Sequence, residues 1–391
     1  MSKINLMVPG PVEVDHTVLE AMGTAQIAHY HQDAIDVYNS CVEKMRRLFN
    51  VDKTGHVFIL PGSGSVALDV AVGSLVAAGD KVITGVNGTF SARVKSMVES
   101  YGGVPIETSV PYGKMIRPEM VEEAINNNPD IAAIFIAHLE TSTGVMNPVK
   151  EIGEIAAAHN IPLAVDAVSS IGIEEFQMEE WKVAVCSTAS QKGLETPPGL
   201  GMVCVSERGW SMIPENSRRN NGWFSDLLRW KQTTEGNEIR KGVYYPLPVT
   251  MPVNNVLALE KSLEAILKEG IENRIARHAQ IAEAARAGMR NCGFELFTEP
   301  GSYSSVETVL ANTHNIDINE MIQFIVRRYN TEISNGLFDL YNKMFRIGHI
   351  GQTATPGNLV PVLFGVEQYL RSVGIEVSMG ASLTGVEALA I

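Results

Sequence analysis

Between residues 56 and 205 the chain alternates short apolar runs with helix-patterned stretches, and that alternation leaves few folds open. The apolar runs cover 56–60, 81–86, 104–106, 131–138, 162–166, 183–187 and 201–205. Helical patterns lie between them at 66–78, 90–101, 117–127 and 148–159, the third introduced by Pro118 in its first turn. Strands alternating with helices of this length predict a mostly parallel sheet with helices on both faces, an α/β fold. The unbroken apolar run 131–137 predicts a strand buried on both sides. Ligands of such sheets gather at the carboxyl ends of the strands. The loops after Leu60, Val86, His138, Asp166 and Ser187 converge there.

The flanks follow other patterns. Residues 1–15 read as an extended arm, because Pro9-Gly10-Pro11 cannot be helical. Residues 18–49 are helical with polar interruptions, and 208–241 form a long polar excursion. A long helix is expected over 252–269, resuming over 271–291. Beyond Gly293 the pattern becomes α+β, with strands near Phe294 and Glu307 and helices at 318–329 and 359–373. The expected division is a large domain with its arm, 1–262, and a smaller α+β domain, 263–391.

A chain of 391 residues, 45% hydrophobic and 19% charged, has room for two domains and a substantial core. A formal charge of −13 argues against nucleic acid and anionic membranes as partners. No apolar run approaches the roughly 20 residues of a membrane-spanning helix. The first residues lack a signal-peptide pattern, and the last match no peroxisomal or retention signal. Cys41, Cys186, Cys204 and Cys292 are scattered, with no CxxC pair. The expectation is a cytoplasmic protein without a metal site or disulfide.

Lys192 stands between the small-polar run ending at Ser190 and the turn Pro197-Pro198-Gly199. Earlier, the apolar run Leu163-Ala164-Val165 ends in Asp166. A lysine that forms a Schiff base and a carboxylate that holds a pyridinium nitrogen are what pyridoxal phosphate requires of a protein. Neither decides alone: a lone lysine after a strand is ordinarily solvated, and an aspartate closing a strand often caps a helix. Their pairing and order carry the case. The turn Gly62-Ser63-Gly64-Ser65-Val66-Ala67 fits a dinucleotide pattern, but the next strand ends in Val86-Asn87, without an acid for a ribose. No P-loop pattern occurs. What remains is a helix N-terminus that cups one phosphate with Ser63 and Ser65, or a plain turn.

Three further features stay open at this level. The hydroxyls of His138-Leu139-Glu140-Thr141-Ser142-Thr143-Gly144 either face a ring oxygen or cap a turn. Arg346, within the apolar Phe345-Arg346-Ile347, either binds a carboxylate with its planar fork or forms an internal ion pair. His29 and His31, with no third ligand evident, read as structural or cleft-lining.

Taken together these residues resemble the class V aminotransferases of the fold-type I pyridoxal-phosphate enzymes, most of all the alanine–glyoxylate and serine–pyruvate aminotransferase group. The resemblance runs from Pro9-Gly10-Pro11 to Arg346-Ile347-Gly348. It includes Ser63-Gly64-Ser65, Asn87-Gly88, Glu140 to Gly144, Val165 to Ser170, Ser190-Gln191-Lys192 and Pro197-Pro198-Gly199. It implies that the large domain binds pyridoxal 5'-phosphate. Lys192 then forms the Schiff base and moves the proton, and Asp166 pairs with the pyridine nitrogen. Phe90 stacks on the ring, and Thr141 lies near its hydroxyl. Ser63, Gly64, Ser65 and Gln191 hold the phosphate, which Thr250 reaches from the partner subunit of a homodimer. Arg346 binds the substrate α-carboxylate, with Pro9 and Gly10 on the substrate side.

The implied reaction is ping-pong transfer of an amino group from alanine or serine to glyoxylate or pyruvate. The alternative is a special donor such as 2-aminoethylphosphonate, or pyridoxamine with pyruvate. A more distant one is a lyase resembling cysteine desulfurase, although residues 312–345 contain no cysteine. Three departures bear on the substrate. Ser65 stands where the group often has histidine. Leu247 stands where it often has tyrosine, with Tyr244 and Tyr245 nearby. Glu195 is an unusual acid close behind the lysine, which either favours a substrate with a second amine or faces solvent.

Overall fold

The computed structural model describes residues 4–213, 222–235, 247–387 and 389. Seven strands form the main sheet: β1 (His56–Gly62), β2 (Lys81–Val86), β3 (Val104–Ser109), β4 (Ile131–Ala137), β5 (Leu163–Asp166), β6 (Val185–Ala189) and β7 (Gly199–Val205). Their order is β1-β7-β6-β5-β4-β2-β3. β7 runs antiparallel to both neighbours, and every other pair is parallel. Ala133 to Ala137 are buried without a break. Successive side chains on a strand point to opposite faces, so both faces of the sheet are covered, as the apolar run predicted.

The helical pattern expected over 18–49 is divided into His16–Met22 and Gln32–Phe49. Each piece has its own cap: Asp15 Oδ1 accepts from the Thr17 N–H at 2.8 Å, and His31 Nδ1 from the Asp33 N–H at 3.3 Å. His31 is thus a structural residue. The described parts of the polar excursion contain the helices Glu207–Met212 and Leu227–Glu235. The second of these buries Leu227 and Trp230 in the main core, beside Phe58.

A second apolar core gathers Ile281, Phe294, Leu310, Ile325, Phe345 and Leu363. It packs on an antiparallel sheet of β8 (Glu307–Ala311), β9 (Ser334–Asn335) and β10 (Met344–Gly348), ordered β8-β10-β9. The strand expected near Phe294 is reduced to a single bridge, Leu296 with Leu310. The helix Val253–Glu269 gives Leu263 and Ile266 to the main core, while Ile271–Asn291 gives Ile281 and Met289 to the second.

The N-terminal arm belongs to the second core. Asn5–Leu6 pairs parallel with Thr331–Glu332, and Met7 is fully buried there. The arm then crosses Gly348, where an added Cβ would meet the Pro9 nitrogen at 2.5 Å. Only a residue without a side chain lets the arm pass this close. Among the described residues, no helix is long and apolar enough to cross a membrane.

Candidate active site

A cavity opens to solvent at the carboxyl ends of the parallel strands. Ser63, Gly64 and Ser65 line it from the turn after β1, and Phe90 from the helix Thr89–Ser100. Thr141 comes from the loop after β4, Asp166 from the end of β5, and Gln191 with Lys192 from the loop after β6. The sheet topology therefore gathers residues from positions 63 to 192 at one edge, as doubly wound folds do.

Gly64 opens the helix Gly64–Leu75. A Cβ there would meet Val168 Cγ2 at 2.8 Å and Ala189 Cβ at 3.2 Å, so glycine lets the helix start against the ends of β5 and β6. N–H groups of a first helical turn have no intrahelical acceptors and carry the positive end of the dipole. They form an anion cup. Arg93 strengthens it: its Nη1 donates to Ser65 Oγ at 3.1 Å, and its guanidinium lies 5.1 Å from the Phe90 ring centroid. The sequence reading passed over Arg93. Its spacing of three from Phe90 on one helix face was the available signal.

Asp166 is 7% exposed, and its Oδ1 accepts from the Val168 N–H at 2.9 Å. It thus shapes the following turn as well as lining the cavity. Burial pushes its carboxyl up to about 7, against the pull of that N–H. A cationic partner would restore the ionised form. Lys192 Nζ donates to the Pro9 carbonyl at 2.5 Å. Burial lowers its hold on a proton; Glu307 opposes that effect, and Arg346 adds to it.

Thr141 Oγ1 donates to Ser169 Oγ at 2.6 Å, within the cavity lining. Glu140, absent from the expected site, is fully buried and accepts from the N–H groups of Phe90, Ser91 and Ser142 at 3.3, 2.7 and 3.0 Å. It ties the loop after β4 to the helix that carries Phe90. Arg346 reaches the same loop, its Nη1 donating to the Thr141 carbonyl and its Nη2 to the Asn335 carbonyl, each at 3.2 Å. Carbonyls hold the guanidinium, and its Nε is buried with no partner. Of the two sequence readings, the internal ion pair is not formed among the described residues.

Thr250, Leu247 and Glu195 lie outside the cavity lining. Thr250 is exposed, Leu247 is buried in the main core, and neither lines the cavity; Tyr244 and Tyr245 lie outside the described residues. Glu195 neither faces solvent nor lines the cavity. It is 8% exposed, accepting from Arg274 Nη2 and the Gln352 N–H, each at 2.5 Å. Lys192 is only three residues away in sequence, but the turn from Lys192 to Glu195 sends the two side chains apart. Cys292 sits in the second core, where burial pushes its thiol up to about 12. It supplies no nucleophile to the cavity.

The sequence matches the family model described as aminotransferase class-V over residues 13–338. The chain belongs to that family. It is similar to an uncharacterized aminotransferase of Methanocaldococcus jannaschii, with 36% identity over 95% of this chain and 94% of the other. It is similar to serine–glyoxylate aminotransferase of Methylorubrum extorquens, with 30% identity over 97% and 94%. Among solved structures, pyridoxamine–pyruvate aminotransferase of Mesorhizobium loti aligns with a TM-score of 0.89 and 27% identity, covering 98% of this chain and 97% of the other. The protein is a pyridoxal-phosphate-dependent aminotransferase of fold type I.

The donor set fits that cofactor. Lys192 offers an amine that could take an aldehyde, Asp166 a buried carboxylate that could take a pyridinium nitrogen, and the helix start at Gly64 a cup that could take a phosphate. Gln191 Oε1, buried with no partner, adds an uncommitted polar atom to the lining.

Proposed function

We propose that this aminotransferase moves an amino group from alanine or serine to glyoxylate or pyruvate in ping-pong fashion. The observation that carries the reading is Arg346, aimed by the Thr141 and Asn335 carbonyls beside the cavity of Lys192 and Asp166. A planar fork held there suits the α-carboxylate common to these donors and acceptors. The similarity to a serine–glyoxylate aminotransferase supports it.

In this reading Lys192 would carry the cofactor, Asp166 would keep its ring nitrogen protonated, and Phe90 and Thr141 would help to hold its ring. Ser63, Gly64, Ser65 and Gln191 hold the phosphate, joined by Arg93. Thr250, exposed on this protomer, serves the partner subunit of a homodimer. When bound, pyridoxal phosphate supplies an electron sink that makes a Cα–H acidic. Arg346 fixes the donor so that this hydrogen faces Lys192. Lys192 Nζ takes the proton as general base, and burial favours its free-amine form for that step. Pro9 and Gly10 close the substrate side.

We read the chain as two units, 1–262 and 263–391; two separate cores support a division into two, while Met7 of the arm packs in the second core and Leu263 and Ile266 in the first. A cytoplasmic location is supported by four buried, unpaired cysteines.

A second donor class is favoured by the likeness to a pyridoxamine–pyruvate aminotransferase. A donor panel separates the two. Alanine, serine, 2-aminoethylphosphonate and pyridoxamine are added in turn to the cofactor-loaded protein while its visible absorbance is followed. Alanine or serine should bleach the band, and glyoxylate or pyruvate should restore it. Response to pyridoxamine or 2-aminoethylphosphonate alone would replace the first reading with the second.

A further inference from the structure

Glu307 is 2% exposed, and neither of its carboxylate oxygens has a hydrogen-bond partner. Two other buried carboxylates, Glu140 and Glu367, are satisfied. Glu140 accepts three backbone N–H groups, and Glu367 accepts the Gly380 and Ser382 N–H groups at 2.9 and 3.1 Å. A desolvated carboxylate without a partner is costly, and such groups call for a functional account.

Its position supplies one. Glu307 pairs with Gly348 and Val309 with Arg346 across β8 and β10, so Glu307 and Arg346 share one face of that sheet. On Gly348 lies the arm at Val8 and Pro9, and the Pro9 carbonyl takes the hydrogen bond of Lys192 Nζ. The charged groups that act on Glu307 are Arg346, Lys192 and Glu140, and those on Lys192 are Glu307, Arg346 and Asp166. Arg346 Nε is also unpartnered. A cation held only by carbonyls and an anion without a hydrogen bond therefore share one face, and both act electrostatically on Lys192. Burial pushes the Glu307 carboxyl upward, while Arg346 and Lys192 pull it down.

We propose that Glu307 receives the amino group of the incoming donor while Arg346 holds its carboxylate. This rests on the reading of Arg346 above. An amino acid arrives as a zwitterion, and its nitrogen reacts only after losing one proton. That proton passes from the ammonium nitrogen to a Glu307 oxygen, and the nitrogen keeps its electron pair. An ion pair becomes a neutral amine and a carboxylic acid, the forms a desolvated site favours. A 2-oxo acid brings no ammonium and makes no demand on Glu307.

The test uses pyridoxal-phosphate-loaded Glu307→Gln, which keeps the size and hydrogen bonding but cannot take the proton. Donor and oxo-acid half-reactions are followed by stopped flow across pH. Binding of 2-methylalanine and of isobutyrate, which lacks the amino group, is measured by calorimetry. Donor kcat/KM should fall at least about tenfold near pH 7, and the deficit should narrow toward about pH 9.5, where solution supplies free amine. The oxo-acid half-reaction should change less than about threefold, and only 2-methylalanine should bind more weakly, by about tenfold or more. Equal losses in both halves, a pH-independent donor loss, or no loss would overturn the proposal. If Glu307→Gln does not take up cofactor, Glu307→Asp carries the test. Its shortened carboxylate must slow the donor half selectively, and equal slowing overturns the proposal. If wild type shows no donor half-reaction, the aminotransferase substrate reading fails first; selective weakening of 2-methylalanine would still support Glu307, and equal binding would still reject it.

Discussion

Lys192 Nζ and the Pro9 carbonyl are joined by a 2.5 Å hydrogen bond. It connects the loop after β6 to an arm whose root, Met7, is buried in the second core. Gly10, next on the arm, lies so close that a Cβ there would meet Lys192 Nζ at 2.6 Å, and its φ of +122° is one that side chains rarely adopt. Gly10→Ala should displace the lysine. A misplacement of an ångström can cost about a hundredfold, so a kcat loss of at least roughly tenfold is expected, with an altered visible band. An unchanged rate and spectrum would show that the arm does not set the lysine's position.

Lys192→Ala should remove the visible band of the cofactor-loaded protein and lower kcat by roughly a hundred- to ten-thousandfold, the range for a lost general base. A retained band in the purified variant would reject the assignment.

Asp166 gives a pH signature. Burial places its carboxyl at about 7 in the folded, cofactor-free protein, against an unfolded value of about 4. Because the folded value is the higher, this contribution to stability is fully present below about pH 4 and is lost as pH rises through 7. The loss amounts to at most about 4 kcal/mol. Cofactor-free Asp166→Asn should therefore gain on wild type between pH 4 and pH 8 in urea unfolding. A gap that does not vary with pH would mean that the carboxyl stays ionised throughout.

The Glu195–Arg274 pair is structural. Arg274 is 3% exposed and also donates to the Gly172 and Gly193 carbonyls at 2.7 and 3.0 Å. Arg274→Ala strands a buried carboxylate and should cost about 3–5 kcal/mol in chemical denaturation. Glu195→Gln should leave the order of donor preference unchanged in a kcat/KM panel. A reordered panel would return Glu195 to the substrate site.

Arg346→Ala loses charged hydrogen bonds of about 1.5–3 kcal/mol each, so KM for carboxylate substrates should rise roughly ten- to a hundredfold. Unchanged KM for every amino and oxo acid would count against a carboxylate at Arg346.

The amino-acid order alone determined the alternating strands and helices, the closing aspartate, the lysine loop and the glycine-containing turn after β1. These rest on short-range rules: periodicity of burial, turn chemistry, and a parallel sheet that brings its carboxyl-end loops together. That is why Lys192, Asp166 and Ser63 to Ser65 were legible as one group; the aminotransferase class came from the resemblance of these motifs to that family. Only the tertiary structure decided three pairings. Glu195 left its neighbour Lys192 for Arg274, across 79 residues of chain. Pro9 reached Lys192 across 183. Glu307 came to the lysine unsatisfied, on the same sheet face as Arg346. No local pattern encodes such meetings, because they arise from strand register and from the close approach that Gly348 and Gly10 permit. A charge close to Lys192 in sequence is therefore no guide to a charge close to it in space.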